Sequence, residues 1–85
     1  MTPTKTRTTY SAEYEFIRPY TDGTVWIDVR TGATDVEQAR TWAADARRWV
    51  QQRNDIAAIA GDRIPYTGEV RIVKVTTTVT EEVVQ

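Results

Sequence analysis

The sequence predicts an α+β domain of order β-β-α-β: a three-stranded antiparallel sheet, strands ordered 2-1-3, with one long helix packed on one face. Three observations carry that expectation. Residues 34–60 repeat apolar side chains at helical spacing with no proline to interrupt them. Residues on either side of the Asp22-Gly23 pair alternate with a period of two, a strong hairpin signal. Residues 69–80 are dense in Val, Ile and Thr, the β-branched types that suit a pleated surface. At 85 residues the chain is one domain, 1–85, with 1–5 and 81–85 expected to fray.

The first strand is expected from about Arg7, because Tyr10, Ala12, Tyr14 and Phe16 alternate against Thr9, Ser11, Glu13 and Glu15. A two-residue turn at Asp22-Gly23 would set Tyr20 opposite Val25, Arg18 opposite Ile27, Phe16 opposite Val29 and Tyr14 opposite Thr31. On the other face Glu15 would meet Arg30 as an ion pair, and Pro19 would meet Trp26. With the Phe16/Val29 face given to the helix, Trp26 and Ile17 fall on the far face, where a lone helix leaves them uncovered. The second strand is expected over residues 25–31.

The helix is expected to open on a capping box, Thr34 with Glu37 three residues on, and to close at Gly61 with Pro65 beyond. At 100° per residue, Val36, Ala39, Ala43, Ala46, Val50 and Ala57 form a small-residue centre that allows a close approach to the sheet. Trp42, Trp49 and Ile56 run down one flank as core or core edge, or as an aromatic ridge for a partner. Arg53 sits inside the apolar arc, either over the Trp49 indole or snorkelling outward. Asn54, Arg40, Arg47 and Arg48 fall on the polar arc. After a loop over 62–68, the third strand is expected over 69–80, with both faces buried or a bulge near Ile72-Val73. Pairing it antiparallel to the first strand would bring Lys5 and Arg7 near Glu81 and Glu82.

Composition narrows the chemistry. Hydrophobic content of 40% with 27% charged residues is globular rather than disordered. The chain has no cysteine and no histidine, which removes disulfides, the thiolate nucleophile, the commonest zinc ligands and the usual catalytic base. Glu13, Glu15, Glu81 and Glu82 are expected on solvated faces, and Ser11 has no histidine to activate it. The four glycines are scattered rather than set as a phosphate loop. No Asp-x-Asp-x-Asp-Gly run offers a calcium site. The expectation is therefore no enzyme, no catalytic residue, no cofactor and no metal. No apolar run approaches the ~20 residues of a membrane span, and the N-terminus lacks an apolar signal core. A cytoplasmic protein with no membrane partner is expected. The net charge of −1 gives no global attraction to nucleic acid.

The run Glu69-Val70-Arg71-Ile72-Val73-Lys74-Val75-Thr76-Thr77-Thr78-Val79-Thr80-Glu81-Glu82-Val83-Val84, with Tyr14, Tyr20 and Trp26 ahead of an Ala/Arg helix, resembles small accessory proteins of actinobacteriophages and prophages. That resemblance implies a phage or prophage product in the host cytoplasm, acting by binding a host protein. The residues favour the same class: a non-enzymatic protein that binds a protein partner, either a host factor or a second copy as a homodimer. The docking surface is expected around Ile17 and Trp26 together with an open strand edge. The alternative is a small nucleic-acid-binding regulator using Arg40, Arg47 and Arg48, countered by Glu37 and Asp45 at pairing distance on the same helix.

Overall fold

The computed structural model describes residues 4–21, 23–80 and 84. Strand β1 runs Thr4–Ile17, β2 Thr24–Ala33, helix α1 Val36–Ile59 and β3 Tyr66–Thr80. The sheet is antiparallel throughout, in the order β2-β1-β3, and the helix packs on one face. The expected α+β fold and strand order are those observed. Thr4 and Lys5, expected to fray, are paired with Thr80 and Val79. Residues 1–3, 81–83 and 85 lie outside the description, and with them the expected meeting of Lys5 and Arg7 with Glu81 and Glu82.

The hairpin register differs from expectation by four residues. Phe16 lies opposite Val25, Tyr14 opposite Ile27 and Glu15 opposite Trp26. The strands part at Ile17 and Thr24, and the Arg18 N–H donates to the Gly23 carbonyl. Asp22, half of the expected two-residue turn, is outside the described residues. Pro19 explains the earlier end of β1: in a central strand both edges must bond, and proline has no N–H to give. Because four is even, the side chains of β1, and those of β2 as far as Asp28, keep their expected faces although their partners change, whereas past the slip beside Ala12 Arg30 turns from the expected far face to the helix side. Glu15 therefore meets Trp26 and not Arg30, and Pro19 pairs with nothing in the ladder.

Two bulged stretches bend the sheet. On β2 the register slips beside Ala12, where Val29 is left unpaired and Gly32 takes a φ of 84°. On β3, three residues (Thr67, Gly68, Glu69) stand against Glu15 alone, with Gly68 at φ 94°. A side chain at that φ would be strained, so glycine lets the strand pass through a kink. The expected start at Glu69 treated Gly68 as loop. The strand instead begins at Tyr66, and pairing through Ile72 and Val73 is regular.

Helix α1 begins one residue later than the capping box predicts. Asp35 is the N-cap, extended at φ −125°, and its carboxylate accepts from the Glu37 N–H at 2.9 Å. A carboxylate is a stronger acceptor than the Thr34 hydroxyl at the positive end of the helix dipole. At the other end the Asp62 N–H donates to Ala57 O and the Gly61 N–H to Ala58 O, with Gly61 at φ 75°. That pair of bonds is a Schellman motif, as the glycine foretells.

The helix lies close to the sheet because its contact stripe is small. The buried apolar residues are Ala12, Ala33, Ala39, Ala43, Ala46 and Val50, five of the six being alanine. Larger groups gather at the stripe's margin. Tyr14, Phe16, Tyr66 and Trp49 form an aromatic cluster with centroids 5.2 to 5.9 Å apart, edge-on except for the tilted Trp49–Tyr66 pair. Trp49 is 38% exposed and Ile56 61%, so the Trp42/Trp49/Ile56 flank is the rim of the core.

The molecule is long for its mass. Its radius of gyration is 18.0 Å, against about 12 Å for a compact domain of this length. The reason is a mismatch of element lengths. Ala33, the end of β2, pairs with Tyr10, so residues 4–9 of β1 pair only with 75–80 of β3. Those six rungs form a two-stranded arm roughly 20 Å long.

Candidate functional site

The five residues singled out from the sequence do not converge. Ile17 and Trp26 lie on the sheet face away from the helix, while Arg40, Arg47 and Arg48 lie on the outer side of α1. The protein thus offers two surfaces on opposite sides of its single sheet.

On the helix side, Arg40 is bonded to Glu37 and Arg48 to Asp45, both as i, i+3 ion pairs between exposed side chains. Such pairs contribute a few tenths of a kcal/mol each and leave little net field for a phosphate. Arg47 has no acidic partner among the described residues.

The far face is built on β1. Its odd-numbered side chains Ser11, Glu13, Glu15 and Ile17 share this face with Trp26 and Asp28 of β2 and Arg71 and Val73 of β3. Arg71 organises the middle. Its guanidinium lies 3.9 Å from the Trp26 ring centroid, and its Nε donates to Glu13 Oε1 at 2.6 Å. Glu15, beside Trp26, accepts from the hydroxyls of Thr24 at 2.9 Å and Thr67 at 2.8 Å. Glu13 and Glu15 are therefore half-buried and hydrogen-bonded, and not the freely solvated carboxylates expected. Ile17 is half-buried at the strand end, diagonal to Trp26, and its N–H donates to the Pro65 carbonyl at 2.8 Å. The small residues Ser11 and Gly32 leave a groove of about 370 Å³ on this face between Asp28 and Val73.

Every tryptophan carries an arginine. Arg71 covers Trp26, Arg30 covers Trp42 at 5.2 Å and Arg53 covers Trp49 at 5.5 Å. Contacts of this kind occur about once per 70–80 residues, so three in 85 residues mark a fold whose indoles sit at margins too open for apolar cover alone. The Arg53 contact settles the two readings of that residue in favour of the indole. Arg30 reaches Trp42 because the β2 bulge turns it to the helix side, which alternation alone does not reveal.

Sequence reasoning missed two residues. Asn54 falls on the polar arc, yet its Nδ2 donates to Tyr66 O at 3.0 Å and its Oδ1 accepts from Tyr66 N at 3.2 Å. Tyr66, expected in a loop, starts β3 and joins the aromatic cluster. Burial pushes the Tyr66 phenol above its ordinary value of 10.0, Tyr14 adds to the rise, and Arg53 opposes it. A raised folded value means stability that is complete below the unfolded value and lost as pH climbs through the folded one. Urea titrations one unit either side of pH 10.0 are expected to show a loss that Tyr66→Phe reduces. Parallel losses in both proteins would refute the assignment.

Among the described residues no group of three or more Asp and Glu side chains could hold a metal ion. Among those residues no helix is long and apolar enough to cross a membrane. No protein-family model, curated protein or solved structure matches the chain.

Proposed function

We propose that this chain is a small non-enzymatic accessory protein of the phage type that works by binding a host protein in the host cytoplasm. The far sheet face is its docking surface. The observation that carries the reading is the Trp26–Arg71 stack beside an open groove, on a sheet face that α1 does not cover. Tryptophan and arginine are the residue types that most often dominate the energy of protein interfaces. Here the guanidinium is held by Glu13 and the indole by Arg71, so both are positioned before a partner arrives.

Trp26→Ala tests this. Arg71 keeps its Glu13 partner in the variant, so folding stability is expected to fall by less than about 2 kcal/mol. A host protein captured from actinobacterial lysate by the parent chain is expected to be lost from the variant, because a hot-spot truncation costs about 2 kcal/mol or more of binding. Capture of the same proteins by both chains would overturn the reading, as would unfolding of the variant. Retention on duplex DNA that falls steeply with salt would favour the Arg40/Arg47/Arg48 surface instead.

A further inference from the structure

The two-stranded arm lacks the supports that the body of the domain has. Among the described residues, no third strand pairs with it and α1 does not reach over it. A two-stranded ribbon is marginal at best in water by itself. The chain also exposes 6416 Å², whereas a compact monomer of its mass exposes about 5,100 Å². The excess is larger than the ~800 Å² that one partner contributes to a standard interface.

The two edges of the arm differ in chemistry. Residues 75–80 of β3, Val-Thr-Thr-Thr-Val-Thr, are all β-branched and uncharged. Strands that stay single guard such an edge with charge, proline or a bulge, and the pairing of 75–80 is regular with none of these. The β1 edge carries Lys5 and Arg7.

We infer that a second copy of this chain pairs with the outer edge of β3, antiparallel about a two-fold axis near Thr78. An axis there sets Thr76 opposite Thr80 and Thr77 opposite Val79, so every pair within residues 76–80 is small, β-branched and neutral. The sheet then runs continuously through both copies. The competing arrangements are worse. Joining β1 to β1 about Thr6 opposes Lys5 with Arg7, a like-charge pair. Joining β1 of one copy to β3 of the next is head-to-tail and propagates into a fibre, whereas the β3 pairing closes on itself. The arm lies roughly 30 Å along β1 from Trp26, counted from Thr6 to Glu15, so the dimer leaves the far-face surface free.

Sedimentation of the intact chain tests this, with Thr78→Lys and Thr6→Lys as variants. The parent chain is expected at twice 9.7 kDa. Thr78→Lys places two ammonium groups against each other at the axis and is expected to weaken the dimer roughly 100-fold or more. Thr6→Lys, directly across the arm from Thr78 but on the other edge, is expected to leave the dimer intact. Amide exchange in 75–80 of the parent chain is expected to slow as concentration rises, a readout that stands even where a variant fails to fold. A parent chain of 9.7 kDa at every concentration, exchange independent of concentration, fibres, or a dimer that Thr78→Lys leaves unchanged would each overturn the inference. Trp26→Ala is expected to keep the dimer, so loss of host-protein capture and loss of dimerisation are read separately.

Discussion

Ala43→Leu is expected to destabilise the domain by about 3 kcal/mol, at the upper end of what overpacking usually costs. The residue is fully buried, as is Ala12 on the central strand, and Ala39 and Ala46 lie one turn away on either side at 0% and 4% exposure. A helix seated on a stripe of methyl groups has its backbone near the sheet, so three extra carbons cannot be absorbed by side-chain rotation. Either the helix lifts, uncovering Val50 and opening the aromatic cluster, or leucine is forced off its rotamers. A domain of this length has about 4–13 kcal/mol to lose. Urea unfolding with Ala44→Leu as the control decides the matter, since Ala44 is exposed on the same turn and its variant is expected within about 0.5 kcal/mol of the parent. Equal stability of the two variants would mean that the helix does not sit as closely as described.

Asn54→Leu is expected to cost about 2–3 kcal/mol, through an unrelated mechanism. The Asn54 amide is bonded through both its oxygen and its nitrogen to the backbone of Tyr66, the first residue of β3. Leucine has nearly the same size but offers neither donor nor acceptor, and it leaves a partly buried N–H and C=O without partners. Tyr66 is also the hub at which Tyr14, Phe16 and Trp49 meet, so loosening its backbone loosens the aromatic margin of the core. Asn54→Asp keeps the acceptor but loses the donor to Tyr66 O, and its charge would face that carbonyl. It too is expected to destabilise. Thermal melts followed by tryptophan emission measure both variants, and an Asn54→Leu melt within about 0.5 kcal/mol of the parent would show the bonds to be incidental.

These two residues also mark what was legible in the sequence. Ala43 was, because helical spacing is a local signal and the alanines fall on one arc whatever the sheet does. The strand order was legible as well, since a helix crossing from β2 most simply returns β3 beside β1. The face of Trp26 survived a register error of four because side-chain direction depends on parity alone. Asn54 was not legible: its periodicity says solvent, and only the distant return of the chain at Tyr66 gives it backbone to bond. Nor was the cover over Trp26 legible. Arg71 is 45 positions further along, and its placement opposite Glu13 depends on the β1–β3 register, which the wide bulge at Gly68 resets.

A centre made of five alanines and one valine has a consequence for temperature as well as for tolerance of substitution. Heat capacity on unfolding grows with the apolar surface newly wetted, and methyl groups supply little of it. The increment for this chain is expected below the ~1.0–1.3 kcal/mol/K typical of its length. Its stability curve is accordingly flat: a broad melt on heating, and little loss on cooling toward freezing.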